Sequence, residues 1–324
     1  MKRIVLPLLF LPALCGCLGD VKGPAPSGYS TLNYVYQLGA RNPCWSPDGG
    51  EIAFDCEGDL WVVPDGGWTE LEGTPASRRI TGFEGSEREP ALHPDPTDGR
   101  IVFVHDEVDS SRIKLLDTDD GTTLTLFSSS AMIRRPSWTS DGKQISFTLI
   151  SDYEQGIYLV DPVADSQPQL IPKSNSWGEI VYAKASPSKP LIWFVEKSNR
   201  VENLYSIPLD GGLSQIYSAN GVGTVKFDAV GEARDGNRLA VALLAFDKDF
   251  EAWYSNLYLI RTTPPSPDWS RGGLVALTYL DPTGDYLIRC ASIDWSPQGD
   301  RLALGVRYGT GDNALWDVAV LDLR

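Results

Sequence analysis

Histidine and methionine are almost missing from this 324-residue sequence, which has two of each; the histidines are His93 and His105. An imidazole-built metal centre needs three or four converging ligands, so a histidine-based metal lyase lacks its parts. Cysteine is sparse too. Cys15 and Cys17 sit together near the start, leaving Cys44, Cys56 and Cys290, too few for a disulfide framework. Cys44 and Cys56 flank one hairpin and should face opposite sides of it, so buried free thiols are expected. No Gly-x-Ser-x-Gly elbow is present, which leaves nucleophilic hydrolysis without its motif. Basic residues are outnumbered, 28 Lys and Arg against 43 Asp and Glu, for a net charge of −15 spread along the chain. Nucleic acid, which demands a basic stripe, is therefore not an expected partner, and adhesion of the folded domain to anionic lipid is disfavoured.

Long apolar runs are missing after the first residues, so no transmembrane helix is expected. Lys2 and Arg3 precede an apolar stretch, residues 4–14, interrupted by Pro7 and Pro12. It is too short to span a bilayer stably and reads as a signal peptide covering residues 1–16. The stretch ends in Leu14-Cys15-Gly16-Cys17, which resembles the bacterial lipobox and makes Cys17 the lipidated residue. A triacylated cysteine carries enough hydrocarbon for stable anchoring. Residues 17–30 are rich in Gly, Pro and Ser and read as a flexible tether. The expectation is a lipoprotein of the bacterial envelope. Leu18, where inner-membrane retention would want Asp, points to the outer membrane, facing the periplasm or the cell surface.

What the sequence has is a repeat. Trp45-Ser-Pro-Asp-Gly49 precedes Ile52-Ala-Phe54, Trp138-Thr-Ser-Asp-Gly142 precedes Ile145-Ser-Phe147, and Trp295-Ser-Pro-Gln-Gly299 precedes Leu302-Ala-Leu304. Degenerate copies start at Leu92 and Ala185, and another carries Asp235-Gly236 before Leu239-Ala-Val241. Starts at 45, 92, 138 and 185 give a period of 46 to 47 residues. Residues 185 to 295 hold two units, so the fifth contains an insertion.

Each unit has the same grammar. One strand ends at the Trp position, a Pro-Asp-Gly turn follows, then a second strand, a third such as Leu60-Trp-Val-Val63, and an outer fourth such as Arg79-Ile-Thr81. Four antiparallel strands repeating in the forties make a propeller blade. The last unit ends after its third strand, whereas residues 32–38 supply a surplus strand before the first. Surplus and deficit match, which closes a ring and removes two sheet edges. The expected fold is all-β, a six-bladed β-propeller over residues 31–324, with the N-terminal strand completing the last blade.

The Trp-Ser-Pro-Asp-Gly…Ile-Ala-Phe…Leu-Trp-Val-Val…Asp-Gly-Gly pattern of residues 45–67 resembles the TolB-type propeller repeat. The resemblance covers the whole propeller and is strongest in the first, third and sixth units. It implies a six-bladed ring in the cell envelope that binds other proteins. TolB carries an N-terminal domain ahead of its propeller, and here only the tether precedes the first strand, so TolB's own docking role does not carry over.

The recurring Trp residues read as packing between blades and the Asp-Gly pairs as turn chemistry. No cofactor or metal is expected. Asp95-Pro-Thr-Asp98 and Asp117-Thr-Asp-Asp-Gly121 offer the hard oxygens that calcium takes, but neither has the spacing of a calcium loop. Binding is the expectation that survives. Residues leading into the inner strands line one mouth of the channel: Arg41 and Asn42, Arg88 and Glu89, Arg134 and Arg135, Glu179, Lys226. Among them Arg41, Arg88, Glu89 and Arg135 are partner-binding candidates. So are Phe250, Trp253 and Trp269 on the fifth-blade insertions, where aromatics interleave with charge as interfaces favour. The expectation is a monomeric, non-catalytic scaffold for another envelope protein. The alternative is a metal-dependent carbohydrate-active lyase or hydrolase at the channel mouth, which would need three or more Asp, Glu or His side chains around one point.

Overall fold

Six antiparallel sheets of four strands each follow one another around a ring. In the computed structural model, residues 32–36, 39–65, 77–151, 155–173, 176–198, 201–212, 214–218, 226–247, 252–262, 274–277, 288–308 and 315–323 are described. The chain opens with β1 (Leu32–Tyr36). Blade 1 is β2 (Arg41–Trp45), β3 (Glu51–Cys56), β4 (Asp59–Pro64) and β5 (Arg78–Arg79). Blade 2 is β6 (Ser86–Leu92), β7 (Arg100–Asp106), β8 (Ser111–Asp117) and β9 (Thr123–Ser129). Blade 3 is β10 (Met132–Trp138), β11 (Ile145–Ile150), β12 (Gln155–Val160) and β13 (Gln169–Leu170). Blade 4 is β14 (Glu179–Ala185), β15 (Leu191–Ser198), β16 (Val201–Pro208) and β17 (Ser214–Ser218). Blade 5 is β18 (Lys226–Glu232), β19 (Arg238–Asp247), β20 (Ala252–Arg261) and β21 (Leu274–Ala276). Blade 6 is β22 (Ile288–Trp295), β23 (Arg301–Tyr308) and β24 (Leu315–Asp322), completed by β1.

The closure runs as the strand deficit requires: Leu32 pairs with Leu321, Asn33 with Val320 and Tyr34 with Ala319. Among the described residues, no helix is long and apolar enough to cross a membrane.

The second strand of each blade is sandwiched between neighbouring blades. It therefore reads as a continuous apolar run rather than an alternating one, and β3, β7 and β15 each bury five consecutive residues. Phe54, Phe103, Phe147 and Phe194 occupy the same place in successive blades, all fully buried. Truncating one to Ala would cost about 3–5 kcal/mol. The turn that feeds this strand holds itself. Ser46 Oγ donates to Asp48 Oδ1 at 2.6 Å, Gly50 N donates to the same oxygen at 3.0 Å, and Gly49 sits at φ 80°. Only glycine takes that φ without a steric penalty.

The recurring Trp is a wedge against the preceding blade, and it has a partner that the repeat conceals. Arg100 stacks over Trp138 at 5.2 Å, Arg238 over Trp295 at 4.9 Å and Arg301 over Trp45 at 4.7 Å. Each Arg starts the second strand of the preceding blade. Where the following blade lacks the Trp, having Leu92, Ala185 or Glu232, that slot holds Glu51, Gln144 or Leu191 instead. The two positions vary together around the ring, as a cation–π pair across each interface would require. At the interface of blades 4 and 5 the wedge comes from the other side, because Trp193 of β15 joins the core cluster that blade 5 dominates.

Candidate functional site

Every inner strand begins with a β-bulge that turns the chain from the upper rim down into the channel. Blades 1 to 3 build it with one tripeptide pattern: Arg41-Asn42-Pro43, Arg88-Glu89-Pro90 and Arg134-Arg135-Pro136. The middle residue lies at positive φ each time, 49° for Asn42, 56° for Glu89 and 52° for Arg135. Proline keeps the residue before it out of the right-handed helical region. A non-glycine residue on the left-handed side costs roughly 1–2 kcal/mol, so neighbouring contacts must hold it there. Blades 4 to 6 place Val181-Tyr182-Ala183, Asp228-Ala229-Val230 and Ala291-Ser292-Ile293 at the same rim, none of them at positive φ.

The three left-handed residues are linked blade to blade. Asp55, at the top of β3, accepts from Asn42 Nδ2 at 2.8 Å and from Glu89 N at 3.0 Å. The Glu89 carboxylate accepts from Arg135 N at 2.5 Å and lies 3.0 Å from Arg88 Nη1 and 3.3 Å from Arg134 Nη1. Arg88 also donates to Asp106 Oδ2 at 2.6 Å and to the Ile133 carbonyl at 2.8 Å. Arg135 then lays its guanidinium over the Tyr182 ring of blade 4 at 4.1 Å. Among the described residues it has no ion-pair or side-chain hydrogen-bond partner.

Burial decides how these groups are charged. Asp55 is 7% exposed, and loss of hydration pushes its pKa up to about 7, with the Glu89 carboxylate adding to the shift; the bonds from Glu89 N and Asn42 pull the other way. Its counterparts in the other blades are Val104, Thr148, Val195, Ala242 and Gly305, so an acid here is peculiar to blade 1. For Glu89, burial acts upward but the arginines, Arg88 foremost, hold it below the usual carboxylate range. Arg88 is held firmly protonated against its burial by Glu89 and Asp106. Arg88 and Arg134 thus share the Glu89 and Asp106 carboxylates while Arg135 adds a third positive charge, which leaves this part of the rim cationic on an acidic protein.

Inside the rim lies a cavity of about 60 Å³ whose lining includes Asn42, Glu89, Arg135, Tyr182, Ser292 and Ile293. Of the residues just before the Trp position, Cys44, Ala91 and Lys184 line it too. Lys184 reaches past blade 5 to Asp294, donating to its Oδ1 at 2.5 Å and to the Ile293 carbonyl at 3.2 Å. Asp294 Oδ2 accepts from Trp45 N at 2.7 Å, tying blade 6 to blade 1. Burial opposes the Lys184 charge, yet Asp294 keeps its pKa above the ordinary lysine value. Lys184 also lines a second cavity, of about 90 Å³, on the far side, with Trp45, Trp138, Trp193, Glu232 and Arg234. The ion pair separates the two. Burial pushes the neighbouring Cys44 thiol up to about 12; Cys44, Cys56 and Cys290 are all thiols, not disulfides.

The structure distributes the candidates from the sequence unevenly. Arg88, Glu89 and Arg135 come together at the rim with Arg134. Arg41 is exposed and turns to blade 6, stacking over Trp316 at 4.6 Å. Glu179 pairs with Lys197 at 2.5 Å, across the start of β14 and the end of β15. Trp253 lies in β20 opposite Phe246. Cys17, Phe250 and Trp269 lie outside the described residues. The β19–β20 hairpin continues three residue pairs beyond Leu244, which itself faces the first residue of β18, so the fifth blade extends past the rim. The acidic turns serve themselves: Asp95 accepts from Thr97, Asp98 from Arg100, and Asp120 from Thr122. Among the described residues, no three His, Cys, Asp or Glu side chains are grouped as a metal site would need.

Sequence reasoning missed Asp55, Tyr182, Lys184 and Asp294. Aligning the repeats by column would have exposed the last two, as opposite charges in a slot otherwise held by Cys44, Ala91, Ser137 and Gly231.

No family model matches the chain, and no curated protein matches it either. Solved structures do. A protein assigned as TolB in Agrobacterium tumefaciens superposes with a TM-score of 0.62 at 19% identity, over 87% of this chain and 99% of that one. TolB of Acinetobacter baumannii gives 0.56 at 16%, over 93% of this chain and 64% of its own. Oligogalacturonate lyase of Vibrio parahaemolyticus gives 0.54 at 12%, over 88% and 78%. The shared feature is the fold: a TolB-like β-propeller.

Proposed function

We propose that this chain is a non-catalytic scaffold of the bacterial cell envelope, anchored through lipidated Cys17, that docks another protein on its upper face. The observation that carries this reading is the size of the openings. Sites that enclose small molecules run to about 300–1,000 Å³. Here the Lys184–Asp294 pair divides the channel into cavities of about 60 and 90 Å³, which can receive the tip of a side chain but not a sugar ring. A rim that is closed below, rigid and locally cationic suits docking. In this reading the rim residues Arg41, Arg88, Glu89 and Arg135 carry the docking surface, β19 and β20 extend it past the rim, and the fifth-blade aromatics Phe250, Trp253 and Trp269 are proposed as further partner contacts.

The test is cross-linked affinity capture from envelope extract with the tagged full-length protein. It would run beside Arg135→Gln and a triple change of Phe250, Trp253 and Trp269 to Ala. A partner captured by the wild type, cross-linked to the upper face and lost in either variant is the expected outcome. Capture indifferent to both variants, or turnover of an acidic oligosaccharide by the purified protein, would overturn the reading. Cys17→Ala should release the protein from the membrane fraction; continued retention would remove the anchor from the proposal.

A further inference from the structure

Among the rim cations, Arg135 is set apart. Arg88 is engaged on Glu89, Asp106 and the Ile133 carbonyl, and Arg134 leans on Glu89 from the exposed side. Arg135 lines the upper cavity and lies flat on Tyr182; its charge acts on the buried Glu89 carboxylate, but among the described residues no carboxylate lies within ion-pair distance of its guanidinium. Its backbone is held as well. The residue sits at φ 52° ahead of Pro136, and its N–H donates to Glu89 at 2.5 Å. A strained backbone clamped by a buried carboxylate, with the side chain pressed on an aromatic face, presents a preorganised fork of donors.

We infer that Arg135, backed by Tyr182, is the anchor for a single carboxylate from the docked protein, an Asp or Glu side chain inserted into the upper mouth. This inference rests on the docking reading above and names the chemistry of its contact. Three observations choose the ligand. The planar guanidinium, with its donors unused, matches a carboxylate edge-on. A cavity of about 60 Å³ holds roughly two waters' worth of volume, enough for a carboxylate and too little for a uronic acid ring. Pro43, Pro90, Pro136, Ala183 and Ile293 wall the cavity with apolar surface beside Glu89 and Lys184, so an inserted carboxylate meets the Arg135 and Lys184 cations against the single Glu89 anion in surroundings where charge pairs count for more.

The experiment is a fluorescence-anisotropy titration of the full-length protein with a labelled Gly-Glu repeat hexapeptide and its Gly-Gln counterpart at low salt. The Glu peptide should bind at least tenfold more tightly. Arg135→Gln should erase that preference, Arg135→Lys should keep only a fraction of it, and Arg134→Gln should change it less than threefold. Thermal melts identify a variant that has merely unfolded. Arg135→Lys keeps the charge and the fold while losing the stacked plane, so it tests the anchor independently of Arg135→Gln.

Equal binding of the two peptides, or full preference in Arg135→Gln, would overturn the anchor. If that happens while partner capture still depends on the upper face, the docking reading stands and only the carboxylate is wrong. Tighter binding of an oligogalacturonate than of the Glu peptide, with the same dependence on Arg135, would overturn the peptide as the source of the carboxylate.

Discussion

Blades 1 to 3 and blades 4 to 6 share one backbone plan and differ at the rim. In the first half the bulge is Arg-x-Pro, and the middle residue is forced into the left-handed region and held by the next blade. In the second half Val181, Asp228 and Ala291 stand in place of the Arg, and the middle residues Tyr182, Ala229 and Ser292 are not at positive φ. Asp228 alone there makes a charged contact, donated by Arg289 Nη2 at 2.5 Å. A closed ring distributes stability evenly but need not distribute chemistry evenly. The packed second strands follow one apolar plan, while the positive-φ bulge residues and the bulge arginines are confined to one arc. Strained backbone of this kind gathers where a surface must be held in a defined shape.

The sharpest way to break the comparison is to remove the central cation of the charged half. Arg88→Ala leaves the buried Glu89 and the half-buried Asp106 without their shared partner and should lower unfolding free energy by about 3–5 kcal/mol in denaturant titration. The equivalent change in the quiet half, Val181→Ala, should cost about 1 kcal/mol or less. Similar losses at both positions would show that the two halves are not energetically distinct.

Asp55→Asn tests the same arc through pH. The folded protein raises the Asp55 pKa from 3.8 to about 7, so the folded state holds this proton more tightly than the unfolded chain does. Its contribution is therefore intact below about pH 4 and is lost as pH rises towards 7. The variant should match the wild type near pH 4 and exceed it near pH 8 by on the order of 2–4 kcal/mol, read from thermal or denaturant unfolding. A wild type whose stability relative to the variant does not change across that window would mean that Asp55 is ionised throughout.

The smallest effect is a control. The Trp–Arg wedge occurs in both halves, with Arg100 on Trp138 and Arg238 on Trp295, and each Arg also pairs with a nearby Asp. Arg100→Ala and Arg238→Ala should each cost about 1 kcal/mol, equally in the two halves. Unequal losses would extend the asymmetry from the rim into the blade interfaces.

Much of the fold is legible without coordinates, because a propeller writes its period into the chain. The Trp-to-turn spacing, the four strands per unit and the match between the surplus strand at residues 32–36 and the missing fourth strand of the last blade follow from patterning alone. Arg88, Glu89 and Arg135 could also be placed at one rim from their position ahead of the inner strands. Their division of labour could not. Whether Arg135 or Arg88 carries free donors depends on which carboxylate each reaches, and those bonds join residues 45 and 46 positions apart.

What the sequence determined by itself is therefore the ring: blade count, strand order, closure and the slots that must be apolar, since each follows from a local period that burial enforces. What only the tertiary structure decided is the mouth. The Lys184–Asp294 pair joins residues 110 positions apart, and Asp55 meets Glu89 across a blade boundary. No local pattern encodes such contacts. The curvature of the closed ring sets them, bringing side chains from different repeats to within hydrogen-bonding distance in a space too dry to leave a charge alone.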